Sequence, residues 1–202
     1  MQRRFQKEPR GSFFFTEKSG PAEPVSVQMY KKPENKTFRT QKKRIWKGEI
    51  RLMNLHLNSL EDTERFARKM AGLLKGKTMT VTLDGDLGAG KTAWTRFFGK
   101  ALGVKRTINS PTFTIMKSYK TDDGRMLYHM DAYRLEGAHQ DLGFEECFED
   151  GLCVVEWAGY IDEQIPADHI AIRLERTGEN EREAYMEATG EKSRAVLEEF
   201  AR

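Results

Sequence analysis

Residues 85–92 read GDLGAGKT and directly follow the alternating run TMTVTLD at residues 78–84. The octapeptide fits the pattern G-x-x-x-x-G-K-[ST], with both outer glycines, Lys91 and Thr92 in the fixed positions. Glycines allow such a loop to turn its backbone N–H groups inward, around phosphate oxygens. The lysine ammonium then reaches the β- and γ-phosphates, and the threonine hydroxyl enters the shell of a Mg²⁺ ion. The stretch therefore predicts a loop that binds nucleotide phosphates.

The segments on both sides of this loop have the periodicity that a phosphate loop requires. Residues 78–84 alternate between apolar and β-branched side chains, which predicts a strand. Residues 93–102 repeat apolar side chains at helical spacing and stop at Gly103, which predicts a helix. A strand, a phosphate loop and a helix in this order form the first unit of a P-loop α/β domain.

The rest of the chain after residue 52 supplies the further elements of such a domain. In chain order we expect a helix from an N-cap at Ser59 to near Gly76, a hairpin of residues 112–119 and 126–131, a helix at 141–148, strands at 152–156 and 169–174, and a terminal helix at 191–200. The run LCVVE at 152–156 is apolar enough for a buried parallel strand. The sequence therefore predicts a single P-loop NTPase-like three-layer α/β domain, with a mixed sheet and an antiparallel hairpin after the first P-loop helix.

The charge of the chain is unevenly distributed. Residues 1–52 hold 14 Lys and Arg against 5 Asp and Glu, whereas residues 53–202 hold 20 against 26. Four of the six prolines also lie in the first segment, which has little periodic apolar pattern. We therefore expect residues 1–52 to form a basic, disordered leader and residues 53–202 to form the P-loop domain.

Three interpretations of the leader stay open. The stretch KKRIWK at 42–47 interleaves basic and apolar residues, as in an arm that binds nucleic acid. The low acid content is faintly similar to an organelle transit segment. We favour a third interpretation, in which translation starts at Met53, because KGE at 47–49 can be encoded by a purine-rich stretch like a bacterial ribosome-binding site. A native N-terminal peptide from within residues 1–52 would exclude that start.

Two classes of protein are disfavoured by the composition. Cys147 and Cys153 have no histidine pair at ligand spacing, so we expect free thiols rather than a metal set. No apolar run approaches the length of a membrane span, so we expect a cytosolic protein without a membrane partner.

Two acidic residues end predicted strands downstream of the phosphate loop. Glu156 closes LCVVE, and Asp131 lies in HMDAYRL at residues 129–135. Ligand sites in open α/β sheets gather at the carboxyl ends of the strands. A single acidic residue at such a place is more often an ordinary charge, whereas two of them after one phosphate loop favour a role. Both carboxylates are therefore candidates for holding Mg²⁺ or for orienting water.

Four motifs occur along the chain in the order GDLGAGKT, SPTF at 110–113, HMDAYRL and VEW at 155–157. In this order and spacing they closely resemble the TsaE family, also called YjeE, the ATPase of bacterial threonylcarbamoyladenosine synthesis on tRNA. The resemblance extends loosely from Met53 to about the C-terminus and leaves residues 1–52 uncovered. It implies a weak ATPase that uses ATP and Mg²⁺ and acts on the partner proteins TsaB and TsaD. TsaD modifies the adenosine next to the anticodon, so contact with tRNA would be made through the complex.

The resemblance also implies a set of site residues. Those expected to bind the nucleotide are Gly85, Asp86, Leu87, Gly88, Ala89, Gly90, Lys91, Thr92, Thr112 and Trp157. Thr112 would sense the γ-phosphate, or would only start a strand after Pro111. Trp157 would face the nucleotide or a partner, or would belong to the core. Thr92, Glu156 and Asp131 would bind the metal. The catalytic candidates are Lys91, Asp131 and Glu156. Asp131 would be needed for turnover, and Glu156 would be the acid of a Walker B-like strand. Which acid binds metal and which orients water stays open.

Two other functions compete with this interpretation. A small P-loop kinase usually carries an arginine-rich lid, and Arg173, Arg176 and Arg182 are too scattered to make a convincing one. A nucleic-acid-binding module would act through the basic leader, with a steep salt dependence. A GTPase is disfavoured because no N-K-x-D sequence follows the phosphate loop.

Overall fold

A computed structural model of the chain describes residues 12–14, 26–30, 52–136 and 142–202. The strands in these residues are β1 (Ser12–Phe14), β2 (Ser26–Tyr30), β3 (Leu52–Leu57), β4 (Met79–Asp84), β5 (Met116–Lys120), β6 (Met126–Asp131), β7 (Leu152–Glu156), β8 (Ile170–Arg176) and β9 (Arg182–Ala188). The α-helices are α1 (Leu60–Leu74), α2 (Lys91–Ala101), α3 (Glu145–Asp150) and α4 (Glu191–Phe200). The strands form one sheet in the order β1-β2-β3-β9-β8-β4-β7-β6-β5. The predicted α/β class with a mixed sheet is confirmed.

Parallel strands form the middle of this sheet. Strand β4 lies between β7 and β8 and is parallel to both, and β6 is parallel to β7. The hairpin of β5 and β6 is antiparallel, as predicted. Because β4, β6 and β7 run in one direction, their carboxyl ends lie at one edge of the sheet, directly before the loops that carry the sequence motifs.

The first P-loop strand is buried on both faces. Met79, Val81 and Leu83 belong to the main apolar core, whereas Thr80 and Thr82 on the opposite face are also buried. Burial on both faces is typical of a parallel strand covered by other elements on each side. The strand therefore fixes the position of the loop that follows it.

Helices α1, α2 and α4 cover one face of the sheet. Their aromatic side chains pack together, with ring centroids of Trp94 and Phe98 4.9 Å apart, and those of Phe66 and Trp94 5.6 Å apart. Ser59 caps α1, since its hydroxyl accepts from the Asp62 N–H at 3.2 Å. The other face is covered more thinly, by α3 and two short 3-10 turns, Tyr133–Leu135 and Ala158–Tyr160. The two outer layers of the predicted three-layer domain therefore differ in how much of the sheet they cover.

Two strands of the body were not expected. In β3 the buried residues Met53, Leu55 and Leu57 alternate with partly exposed ones, and β9 repeats the pattern at Ala184 and Met186. The two strands pair with each other in antiparallel fashion. For such strands, alternation of buried and exposed side chains is the only sequence pattern that indicates a strand. The alternation in residues 182–188 is weak in the sequence because small and charged side chains interrupt it.

Two predicted boundaries were wrong. The first hairpin strand begins at Met116 rather than at residue 112, because residues 111–115 form a turn in which the Thr114 N–H donates to the Pro111 carbonyl at 2.8 Å. The helix predicted at 141–148 is Glu145–Asp150, and position 141 itself lies outside the described residues.

Two segments of the leader are strands at the edge of the sheet. Strand β1 pairs with β2, and β2 pairs with β3 from Val27↔Leu55 to Tyr30↔Leu52. The expected lack of structure therefore does not hold for these segments. The rest of residues 1–51 lies outside the described residues, and the division of the chain at Met53 stays a prediction.

Within the described part of the chain, no helix combines the length and apolar character needed to cross a bilayer. The cytosolic location stays a prediction.

Candidate nucleotide site

The phosphate-loop motif lies between β4 and α2, as its sequence predicts. Gly85 has a φ of 138° and Gly90 a φ of 107°, in the region that favours glycine. A Cβ on Gly85 would lie 2.1 Å from the carbonyl oxygen of Leu174 in β8, so only glycine fits there. Gly90 is the N-cap of α2, and its carbonyl accepts from the Trp94 N–H at 2.9 Å. The loop therefore ends at a helix N-terminus, where unpaired N–H groups favour an anion.

Lys91 folds back over this loop. Its Nζ donates to the carbonyls of Gly85 at 2.7 Å and Asp86 at 3.0 Å, and it lies 3.9 Å from the centre of the Trp157 ring. Burial lowers the pKa of Lys91, and the nearby carboxylates of Glu156 and Asp131 act in the opposite direction. The ammonium is thus held at the loop by groups that phosphate oxygens can replace.

Thr92, Glu156 and His129 form one hydrogen-bonded group beside the loop. The Thr92 hydroxyl lies 2.9 and 3.1 Å from the two carboxylate oxygens of Glu156. His129 Nε2 lies 2.8 Å from Glu156 Oε1, and both side chains are buried. Since a carboxylate only accepts, Nε2 carries the ring proton. Among the described residues, His129 Nδ1 has no hydrogen-bond partner.

Asp131 belongs to a second group, formed with the SPTF loop. The hydroxyls of Ser110 and Thr112 both donate to Asp131 Oδ2, the first at 3.0 Å, and the Tyr133 N–H donates to Oδ1 at 3.1 Å. Asp131 is paired with Glu156 in the register of the parallel strands β6 and β7. The two acids predicted from strand ends therefore lie side by side, one contacting Thr92 and the other Thr112.

Trp157 takes a backbone conformation that is rare for its residue type. Its φ is 61°, and its N–H donates to the Leu83 carbonyl at 3.1 Å. The ring lies 5.1 Å from that of Tyr133 and 6.2 Å from that of Tyr160. The turn after Glu156 thus places an aromatic group over Lys91, next to the site.

Apolar side chains surround the mouth of the site. Leu87 at the tip of the phosphate loop is 92% exposed, and Phe113 in the SPTF loop is 84% exposed. The guanidinium of Arg134 lies 4.4 Å from the centre of the Phe113 ring. Arg134 is therefore a stacking partner of Phe113 in the described structure.

Carboxylates outnumber the lysine at this site. Asp84, Asp86, Asp131 and Glu156 all act on the charge of Lys91. Burial is the largest effect on the pKa of Asp84 and raises it, whereas the Lys91 charge and the N–H of Gly159 act against it. Hydroxyl and carboxylate oxygens are the ligands that Mg²⁺ prefers. The donor set at Thr92, Glu156 and Asp131 thus fits this cation.

A metal ion here would need ligands from outside the protein. In residues 52–136 and 142–202, no group of three or more His, Cys, Asp or Glu side chains is arranged to hold a metal ion by itself. Mg²⁺ in nucleotide sites typically binds one or two protein groups, waters and substrate phosphates.

Two residues beside the site had no predicted role. His129 was seen only as part of HMDAYRL, and Arg182 only as a scattered arginine. His129 and Asp131 are two residues apart on β6, so their side chains lie on the same face of the strand. This spacing is the signal that would have placed His129 beside the acids. Arg182 donates to the Ala89 carbonyl of the phosphate loop at 2.9 Å from 93 residues away, which no local pattern indicates.

Known proteins share this chain's sequence and fold. A family model described as "Threonylcarbamoyl adenosine biosynthesis protein TsaE" matches residues 57–184. The tRNA threonylcarbamoyladenosine biosynthesis protein TsaE of Bacillus subtilis is 45% identical over 144 residues, covering 70% of this chain and 89% of that protein. Its counterpart from Aquifex aeolicus is 38% identical over 133 residues, covering 65% and 92%.

A solved structure supports the same grouping. The crystal structure of YdiB from Bacillus subtilis is similar with a TM-score of 0.64 and 35% identity, covering 77% of this chain and 97% of that one. The matched family region contains the phosphate loop, the SPTF loop and both acidic strand ends. The chain therefore belongs to the TsaE family.

Proposed function

We propose that this protein binds ATP with Mg²⁺ and hydrolyses it slowly, as a subunit required for threonylcarbamoyladenosine modification of tRNA. The observation that carries the proposal is the convergence of Lys91, Thr92, Glu156 and Asp131 at one edge of the sheet, where the phosphate loop meets two acidic strand ends. The role in tRNA modification rests on membership of the family, whose other members are named for tRNA threonylcarbamoyladenosine biosynthesis.

In this proposal the phosphate loop binds the triphosphate. The N–H groups of residues 85–92 surround the α- and β-phosphates, and Lys91 exchanges its two carbonyl acceptors for oxygens of the β- and γ-phosphates. Thr92 and Glu156 hold the Mg²⁺, which supplies charge neutralisation on the β- and γ-phosphates when bound. The net acidic surroundings of Lys91 favour a nucleotide that arrives with its cation.

The contacts of the two acids support a division of their roles. Glu156 contacts the Thr92 hydroxyl and so is the acid beside the metal. Asp131 contacts Thr112 of the SPTF loop, where we place the γ-phosphate, and so is the acid that orients the attacking water. Movement of Thr112 toward the γ-phosphate would release its hydroxyl bond to Asp131, which couples the bound nucleotide to the acid needed for turnover.

His129 is expected to matter for the metal through Glu156. His129→Leu removes the Nε2 donor from Glu156, and the loss of such an outer partner typically costs 10- to 100-fold in metal affinity or activity. We expect the Mg²⁺ concentration for half-maximal ATP hydrolysis to rise about tenfold. His129→Gln keeps an N–H donor at similar reach and should restore most of the affinity. Equal Mg²⁺ requirements in His129→Leu and the unaltered protein would contradict the role.

The partners in this proposal are the TsaB and TsaD proteins. Residues 53–202 carry 26 acidic against 20 basic residues, so this part of the chain is poorly suited to grip tRNA alone. Contact with tRNA would then be made through the partner complex. The exposed Leu87 and Phe113 at the mouth of the site are apolar groups that a partner can cover.

The proposal is tested by measuring phosphate release from ATP by the full chain, alone and with the TsaB and TsaD proteins of the same organism. We expect slow release that the pair stimulates, and no stimulated release from Asp131→Ala. Binding of ATP without hydrolysis in any mixture would contradict the ATPase assignment. Hydrolysis that the pair leaves unchanged would instead contradict the partner assignment and favour the kinase alternative.

A further inference from the structure

The phosphate loop lies against the end of the β8–β9 hairpin. At the start of the loop, Gly85 is so close to β8 that a Cβ would lie 2.1 Å from the Leu174 carbonyl oxygen. At its end, Arg182 of β9 donates from Nε to the Ala89 carbonyl at 2.9 Å. The hairpin therefore contacts the loop near both of its ends.

The rest of the Arg182 guanidinium binds the turn that joins the two strands. Nη1 donates to the carbonyls of Glu181 at 2.8 Å and of Gly178 and Glu179, both at 3.3 Å. In the described part of the chain, all the acceptors of Arg182 are main-chain carbonyls, and no carboxylate pairs with it. The Arg182 side chain thus connects the turn at 177–181 to the phosphate loop, and no carboxylate of the described residues neutralises the charge of its guanidinium.

The environment of Arg182 opposes its charge. Burial lowers the pKa of Arg182, and repulsion from Arg176 acts in the same direction. An arginine stays protonated at neutral pH despite such effects. An anion bound nearby is the group that would offset this cost, and the loop beside Arg182 has the form of an anion site.

We propose that Arg182 is a positioning residue of the nucleotide site. Its Nε–H holds the Ala89 carbonyl on the outer side of the loop, so that the N–H groups stay turned toward the phosphates. Its charge adds to the attraction for those phosphates. This role rests on the proposed nucleotide binding and adds a residue that lies outside all four sequence motifs. It also makes the turn at 177–181 sensitive to nucleotide, since coupling between two sites acts in both directions.

The test compares two arginines of the same hairpin in the full chain. Arg182→Met removes the bond to Ala89 and one charge, whereas Arg176→Met removes one charge from an exposed side chain that bonds only Gly178 in the turn. Binding of a fluorescent ADP analogue without Mg²⁺ is measured for each. We expect roughly tenfold weaker binding for Arg182→Met and less than about twofold for Arg176→Met. At saturating ATP the hydrolysis rate of Arg182→Met should stay within about twofold, with a raised KM.

A second readout separates positioning from simple loss of structure. In the unaltered protein, ADP is expected to slow amide hydrogen exchange in residues 177–181, and Arg182→Met should abolish that protection. Circular dichroism melts without nucleotide identify a variant that fails to fold. Arg182→Lys keeps the charge but cannot bond the Ala89 carbonyl and the turn at the same time. This variant then carries the test, with an expected loss of about threefold in ADP affinity.

Each outcome has a distinct meaning. Equal ADP affinity in the Arg182 and Arg176 variants, or an Arg182→Lys variant that binds like the unaltered protein, would overturn the inference. Absence of ADP binding by the unaltered protein, both without and with Mg²⁺, would instead overturn the proposed function itself.

Discussion

Asp131→Asn is expected to lower the rate of ATP hydrolysis at least about 100-fold while leaving ADP affinity within about twofold. Asp131 is 3% exposed, and its Oδ2 accepts from the hydroxyls of Ser110 and Thr112. An amide keeps the volume of the side chain but removes the negative charge and places a donor or a weaker acceptor against those hydroxyls. Because we place the phosphates on the loop rather than on Asp131, binding should survive. The measurements are phosphate release at saturating ATP and binding of a fluorescent ADP analogue.

The matched variant is Glu156→Gln, on the neighbouring strand. Glu156 contacts Thr92 and His129 rather than the SPTF loop, so we expect a raised Mg²⁺ requirement together with slower hydrolysis. Asp131→Asn should leave the Mg²⁺ requirement nearly unchanged. The opposite pattern, with the metal requirement shifted by Asp131→Asn and not by Glu156→Gln, would exchange the two roles. A hydrolysis rate above half of normal in Asp131→Asn would remove Asp131 from turnover altogether.

The central parts of the fold were predictable because their signals are local. The phosphate loop has fixed residue types, and LCVVE is apolar enough to identify a buried strand without reference to its neighbours. Both acids followed from their place at strand ends, and the register Asp131↔Glu156 brings them together. Motif chemistry and strand direction therefore sufficed to predict most of the candidate site.

The elements that were missed depend on distant contacts. Strands β3 and β9 are stabilised by pairing with each other, and 124 residues separate their ends at Leu57 and Arg182. Alternation over so short a run does not identify such strands until the partner is known. Arg182 was missed for the same reason, since its contact with Ala89 exists only once β9 is in the sheet. A single sequence therefore predicts the phosphate loop but not its contacts with β8 and β9.

Gly85→Ala is expected to lower the free energy of unfolding by roughly 3 kcal/mol, from strain at a positive φ together with overpacking. The added Cβ would lie 2.1 Å from the Leu174 carbonyl oxygen, at a backbone φ of 138°. The loop must therefore move off β8, and we expect the gain in melting temperature that ADP gives the unaltered protein to be lost. Circular dichroism melts with and without ADP measure both effects.

Gly72→Ala is the matched control, because Gly72 lies in α1 with nothing within 4 Å of an added Cβ. Alanine in a helix should stabilise by up to about 1 kcal/mol, with ADP binding unchanged. Since the obstacle at Gly85 is a main-chain oxygen, shortening the Leu174 side chain cannot relieve it. The double variant Gly85→Ala, Leu174→Ala should thus be no more stable than Gly85→Ala alone. Recovery of stability in the double variant would mean that the loop does not rest on the main chain of β8, and the support assigned to the β8–β9 hairpin would lose its basis.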